Sequence, residues 1–265
     1  MKDFVVSTAV VAEMGMVPGP EVYWMAHFGD WLPLHINVVL IKGGGKTILV
    51  NSGPPEDYLA HMNDVWRQEL GEQAQISVPH SGAMTQVMEA WGIDPASVDF
   101  VIITPLQAYA IGGIDLFPHA QICVSRTGWI DLFAPKHFDP RRHMAVPDRL
   151  LHYLLFDLWP KGFVRLLQDE DEIVPGVRTW WAGTHHRSSM AVEVDTVDGV
   201  VAMSDVAFYY ENLESNIPLG ILESMEECRD AYARLQKADR FVSLYDPKTM
   251  ARYPRGRVAG EGTAL

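Results

Sequence analysis

In Val101-Ile-Ile-Thr-Pro-Leu-Gln-Ala-Tyr-Ala-Ile-Gly-Gly113 a β-branched apolar run gives way abruptly to a polar and aromatic loop. Val101 to Ile103 predicts a buried strand, and Pro105, which has no amide hydrogen, ends its pairing. Gln107 and Tyr109 follow among small residues, and Gly112-Gly113 permits a tight turn or a close backbone approach. A strand that empties into such a loop is where α/β proteins commonly place their chemistry.

The same grammar recurs on both sides. Upstream, Met1 to Ala12, Val22 to Phe28, Ile36 to Ile41 and Thr47 to Val50 read as strands, the last two joined across Lys42-Gly-Gly-Gly-Lys46 as a hairpin. Tyr58 to Leu70 and Met84 to Trp91 carry helical spacing. Downstream, Gln121 to Ser125 and Val177 to Trp181 read as strands, and Met190 to Val194 with Val200 to Ser204 as a hairpin across Asp198-Gly199. Arg126 to Phe133 and Leu222 to Lys237 read as helices, and Phe241 to Leu244 as the last strand. Residues 134–160 form an irregular insertion around a helix from Asp148 to Leu158, of the kind that walls a pocket. No linker or repeat divides the sequence, so all of residues 1–265 are assigned to one α/β domain.

Composition narrows the function classes. Lys and Arg number 21 against 34 Asp and Glu, a formal net charge of -13, which opposes attraction to nucleic acid or an anionic membrane. No apolar run is long enough to span a bilayer. The opening residues, interrupted by Asp3 and Glu13, read as a strand rather than a secretory leader. Cys123 and Cys228 have no metal or redox spacing and read as small buried hydrophobes in a reducing compartment. A cytoplasmic protein with a small-molecule substrate is expected, and a homo-oligomer stays open.

Polar residues gather where strands end: Asn51-Ser-Gly, Thr104 to Gly113, Gly183-Thr-His-His-Arg-Ser-Ser189, Ser204-Asp205 and Tyr245-Asp-Pro247. Loops of this kind are expected to line one cleft. On an extended backbone the adjacent His185 and His186 would point to opposite sides, one into the cleft. Asp205, at the tip of a buried strand, would serve either as a base or as a cap for nearby amides.

These loops, in this order, resemble the metallo-β-lactamase fold superfamily and its N-acyl-homoserine lactonase-like branch. Ile48-Leu-Val-Asn-Ser-Gly-Pro-Pro55 is similar to that family's "ILVDTGPP" loop, and Val98 to Gly113 to its "VDxVxxTHLHxDHxGG" stretch. His185 stands at the histidine of "GHTPG", Asp205 at the metal-bridging aspartate, and Tyr245-Asp-Pro247 at "GHDP". The resemblance implies a four-layer αβ/βα sandwich and a hydrolase-like activity.

The departures fall on the metal ligands. Pro105, Gln107, Tyr109 and Ala110 stand across the HxHxDH element, Tyr245 replaces the late histidine, and Asn51 replaces the supporting aspartate. His185 and Asp205 alone remain of the family's ligand set, where zinc needs about three protein ligands. No metal and no cofactor is therefore expected, unless a single ion recruits His186 or His35 to join His185 and Asp205.

The leading expectation is a metal-independent hydrolase acting on a small lactone, ester or amide-like substrate. His185 and Asp205 would activate water, while Tyr109, Tyr245 and Gln107 stabilise the oxyanion. His186, Asn51, Phe208 and Tyr209 would contact substrate, Phe208 standing where lactonase relatives have a substrate-contacting tyrosine. Arg141, Arg142 and His143, or Arg252, Arg255 and Arg257, could hold a substrate carboxylate, and Trp24, Trp31, Trp129 and Trp159 could wall an apolar pocket. A non-catalytic binder of a small molecule or partner, and a cofactor-free lyase or isomerase, remain as alternatives.

Overall fold

The computed structural model describes residues 3–135 and 146–260. The chain begins with β1 (Val5–Pro18), a turn of helix α1 (Gly19–Val22), then β2 (Trp31–Gly43) and β3 (Lys46–Val50). Helices α2 (Leu59–Leu70) and α3 (Met84–Ala90) lead to β4 (Phe100–Ile103), the short α4 (Ala108–Ile111), β5 (Gln121–Ser125) and α5 (Arg126–Phe133). Past α6 (Asp148–His152), which runs on as a π-helical turn over Tyr153–Leu158, come β6 (Val164–Leu167), β7 (Glu170–Val174) and β8 (Val177–Trp181). The hairpin β9 (Met190–Thr196) and β10 (Gly199–Ser204) precedes α7 (Tyr210–Glu214), α8 (Met225–Leu235), β11 (Arg240–Ser243), α9 (Thr249–Arg252) and β12 (Arg257–Ala259).

The strands form a seven-stranded sheet, β12-β1-β2-β3-β4-β5-β6, and a five-stranded sheet, β11-β10-β9-β8-β7. With helices over them this is the expected αβ/βα sandwich. The central strands β3, β4 and β5 pair in parallel and are apolar almost throughout, as burial on both faces requires. Val101, Ile102 and Ile103 have no exposed surface, and neither do Val192, Val194 and Met203 of the second sheet. The β4 register ends at Ile103 opposite Val124, and the next peptide, Thr104-Pro105, is cis.

Two sequence expectations change. Val22 to Phe28 is not a strand, because Pro20 starts a helical turn and Met25 and His27 take positive φ of 54° and 56°. Phe241 to Leu244 is not the last strand, since β12 returns to pair with β1. Gly112 and Gly113 lie in a turn after α4, and a Cβ at Gly112 would lie 2.0 Å from Pro55 N, so the expected close backbone approach is present. The glycine is needed so that the α4 backbone can lie against the loop after β3.

Among the described residues of the insertion, the helix from Asp148 buries Leu150, Leu154 and Leu158; Arg141, Arg142 and His143 lie outside the described residues. No helix among the described residues is long and apolar enough to cross a membrane.

Candidate functional site

The strand-end loops converge as expected on a cleft of about 610 Å³, lined among others by Gln107, Tyr109, His185, His186, Phe208 and Tyr245. That volume suits a small organic ligand.

The floor of the site is built from Asp205. Its side chain is 0 % exposed, and a carboxylate sunk that far must be hydrogen-bonded. Oδ1 accepts from Thr104 Oγ1 at 2.5 Å, while Oδ2 accepts from Ser189 Oγ and lies 3.0 Å from His185 Nδ1. Thr104 Oγ1 in turn accepts from Met190 N at 2.8 Å. Thr104 follows β4 in the first sheet and Met190 opens β9 in the second, so this one hydroxyl joins the two sheets beneath the cleft.

Thr104 is itself held by Asn51. Asn51 Nδ2 donates to Thr104 O at 2.7 Å, and Thr104 N donates to Asn51 Oδ1 at 2.8 Å. Asn51 sits at φ 64°, a conformation asparagine tolerates better than most residues. Both ends of its amide are spent, it is 1 % exposed, and it does not line the cleft. Asn51 is therefore placed to hold Thr104 rather than to touch a ligand.

A carboxylate can only accept, so the contact requires the proton on His185 Nδ1, and in the neutral ring of that tautomer Nε2 carries the lone pair. His185 lines the cleft. His186 lines it too, with its ring centroid 4.0 Å from that of His185. The expectation that the pair would point apart fails because the loop turns: Thr184 takes φ 63° and Ser189 N donates back to His186 O. His186 Nε2 meets Tyr109 Oη at 3.3 Å.

Tyr109 packs edge to face on Tyr245, with centroids 6.1 Å apart, and Phe208 packs on both Tyr245 and His185. Tyr245 Oη is buried and makes no hydrogen bond of regular geometry among the described residues, although the neighbouring Tyr109 hydroxyl acts on it as a side-chain hydrogen-bond partner. Burial, with the Asp205 charge adding to it, pushes both phenols up from the ordinary tyrosine range. They are neutral at physiological pH and act as donors. Gln107 also lines the cleft. Tyr209 does not: its hydroxyl donates to Pro33 O at 2.6 Å, and its amide begins the cap of α7 with Asn212 Oδ1.

The residues standing across the family's metal ligands do not fit a metal centre. Pro105 and Ala110 offer no donor atom, the phenols keep their protons, and both Asp205 oxygens are engaged by protein donors. Among the described residues no group of three or more His, Cys, Asp or Glu side chains is placed to hold an ion, so His185, Asp205 and His186 or His35 do not assemble the single-metal alternative.

Several lining residues had no distinguishing sequence signal. Glu21 on α1, Trp66 and Glu69 on α2, Asp131 on α5, and Arg187 and Glu223 beside the histidine loop all face the cleft. Burial, and then the charge of Glu69, raises the Glu21 carboxyl to about 6. Arg187 pairs with Glu223 at 2.8 Å and with Glu227, and stacks over Trp181. Trp24, Trp31, Trp129 and Trp159 are not part of this wall. Arg252 and Arg257 line a separate depression with Arg240 and Asp198. Cys123 and Cys228 are buried, burial pushing the Cys123 thiol up to about 12.

The sequence profile described as the metallo-beta-lactamase superfamily matches residues 31–242. No curated protein matches the sequence. Among solved structures, a quorum-quenching N-acyl homoserine lactone lactonase superposes with a TM-score of 0.72 at 17 % identity, covering 97 % of this chain and 97 % of its own. An N-acyl homoserine lactone hydrolase, solved with N-hexanoyl-L-homoserine at its catalytic metal centre, gives 0.71 at 18 % identity over 95 % and 96 %. A probable metal-dependent hydrolase from Staphylococcus aureus gives 0.71 at 13 % identity over 93 % and 90 %.

Proposed function

The chain belongs to the metallo-beta-lactamase superfamily, and from that premise we propose that it is a hydrolase working without the family's metals on a small lactone, ester or amide-like substrate. The observation that carries this reading is the pairing of His185 Nδ1 with the buried Asp205 carboxylate at 3.0 Å, in a cleft that Tyr245 also lines.

In this mechanism the substrate carbonyl oxygen accepts a hydrogen bond from Tyr245 Oη. His185 Nε2 removes a proton from water as the water oxygen bonds to the carbonyl carbon, and the negative charge that builds on the carbonyl oxygen is held by Tyr245, with Tyr109 behind it. The imidazolium then protonates the departing oxygen or nitrogen as its bond to the carbonyl carbon breaks, and the carbonyl re-forms. Asp205 does not take up a proton. It fixes the His185 tautomer and stabilises the charged ring, as buried carboxylates do in other acyl-transfer sites. Gln107 orients the acyl group, His186 keeps Tyr109 aligned, and Phe208 supplies an apolar contact.

A screen of p-nitrophenyl esters and lactones with the purified protein tests the reading, with metal content measured on the same sample. Turnover that survives exhaustive chelation and is abolished in His185→Ala is the expected result. Activity that tracks bound zinc or iron overturns the metal-independent chemistry, and a protein that binds these compounds without turning any of them over overturns hydrolysis.

A further inference from the structure

The wall of the cleft beside the proposed base is built from rings. Centroid to centroid, Trp66 lies 6.2 Å from Tyr109, Tyr109 6.1 Å from Tyr245, Tyr245 4.9 Å from Phe208, and Phe208 4.8 Å from His185. The last three contacts are edge to face, an arrangement that aromatic pairs prefer. All five side chains line the same cavity, and they come from α2, α4 and the loops after β8, β10 and β11. Leu34 and Leu106 line it as well, but every member of this run is a ring.

The run has a direction. Phe208 and Tyr245 are buried beside the histidine, whereas Trp66 and Tyr109 are only half-buried, so the far end keeps aromatic surface that a ligand can cover. Gln107, which orients the acyl group in the proposed mechanism, directly precedes the helix α4 that carries Tyr109. The open end of the run thus serves the acyl side of the substrate. Tyr109 and Tyr245 stand at positions where the sequence departs from the family's metal ligands, so the ring wall is a feature of this chain rather than of its fold.

We infer that the substrate is an aryl acyl compound, with its carbonyl beside His185 and Tyr245 and its ring extending the run on Trp66 and Tyr109. The inference rests on the hydrolytic reading for the reacting carbonyl and on the ring wall for the class. A merely apolar wall favours whichever ligand buries more hydrocarbon surface, and a cyclohexyl group exceeds a phenyl group there. An aromatic wall reverses that order, because paired rings gain beyond their buried area. The sign of the preference therefore tells the two kinds of wall apart.

Two measurements on the purified protein test the class separately from catalysis. In the first, calorimetry compares binding of phenylacetamide with that of cyclohexylacetamide. The phenyl compound is expected to bind about 2- to 10-fold tighter, with Trp66→Phe keeping that order and Trp66→Leu inverting it. Should Trp66→Leu not fold, the wild-type comparison decides alone. In the second, kcat/KM is compared for ethyl phenylacetate and ethyl cyclohexylacetate, each divided by the ester's own rate constant for hydroxide hydrolysis, and the phenyl ester is expected to lead. A phenyl preference in binding without turnover of either ester leaves the aryl class standing and sinks the hydrolase. Equal or tighter binding of cyclohexylacetamide, binding of neither amide, a preference untouched in Trp66→Leu, or turnover without a phenyl preference overturns the aryl class, and the hydrolase stands wherever the esters are turned over.

Discussion

His185 meets Asp205 where the carboxylate has no access to solvent, Nδ1 to Oδ2 at 3.0 Å. The same carboxylate accepts from Thr104 at Oδ1 and from Ser189 at Oδ2, so both of its oxygens are engaged by protein donors. Among the described residues Asp205 meets the side chains of His185, Thr104 and Ser189 rather than backbone amides, and in the mechanism proposed above it orients the histidine.

Removing the base and removing its orienting partner should therefore differ. His185→Ala is expected to lower kcat by about 10²- to 10⁴-fold with little change in KM. Asp205→Asn should lower kcat as well, because an asparagine can present an NH₂ group to a donor and disturb the tautomer. It should also lower the urea midpoint, since it leaves a buried donor facing a donor. Steady-state kinetics and urea denaturation of both variants check this; a destabilised His185→Ala with unchanged kcat would refute it.

Tyr245→Phe should trade activity for stability. Losing an oxyanion donor costs about 10²- to 10³-fold in kcat, whereas removing a buried hydroxyl that makes no hydrogen bond of regular geometry among the described residues should stabilise the fold by about 1 kcal/mol. Denaturant midpoints and kcat measured on one preparation give both signs. A destabilised variant would mean that the hydroxyl is bonded in the free protein.

Glu21→Gln should stabilise the protein in a pH-dependent way. The folded Glu21 carboxyl is raised from 4.5 to about 6. A raised folded value means the wild type gains from protonated Glu21 below about 4.5 and loses that gain as pH rises through 6. At pH 7.5 the charged side chain is a burden that glutamine removes, by at most about 1 kcal/mol after allowance for solvent screening of a partly exposed group. Thermal melts at pH 7.5 and 4 should show the difference at the first pH only.

Asn51→Ala should cost about 3 kcal/mol, because it breaks both hydrogen bonds to the Thr104 backbone and puts a Cβ-bearing residue without a local partner at φ 64°. Asn51→Gly should recover about 1 kcal/mol of that loss by relieving the backbone. Equal midpoints for the two variants would show that φ is not the issue.

Much of the fold could be read from the chain because its signals are local. The β-branched runs of β3, β4 and β5 and the turns at Gly44-Gly45 and Asp198-Gly199 predict the strands and hairpins that form. The misread segment from Val22 to Phe28 is apolar and aromatic like a strand, but Pro20 and the left-handed Met25 and His27 bend it. Short strands such as β6, β7 and β12 escaped because Val164–Leu167 and Glu170–Val174 mix charge with apolar residues and Arg257–Ala259 has three residues.

The site was half legible for a related reason. Gln107, Tyr109, His185, Phe208 and Tyr245 lie on strand-end loops whose place is set by the sheet, and they line the cleft. Glu21, Glu69, Asp131 and Trp66 come from helical elements that bring them to the cavity only through tertiary packing, so no spacing in the chain marks them. Asn51 and Tyr209 sit in the expected loops, yet their side chains are turned to the Thr104 and Pro33 backbones.

The Thr104 hydroxyl, at the end of β4 in the first sheet, ties that sheet to Asp205 and to the start of β9 in the second, and Asn51 at the end of the neighbouring β3 holds Thr104 in place. Asp205 is thus a rivet of the sandwich as well as a member of the site. Replacing Asp205 would therefore break contacts between the two sheets as well as the contact to His185. The presence of that aspartate is accounted for by mechanical integrity alone, so it is the residues above it in the cleft, Tyr109, His185 and Tyr245, whose substitution tests whether the cleft has a task.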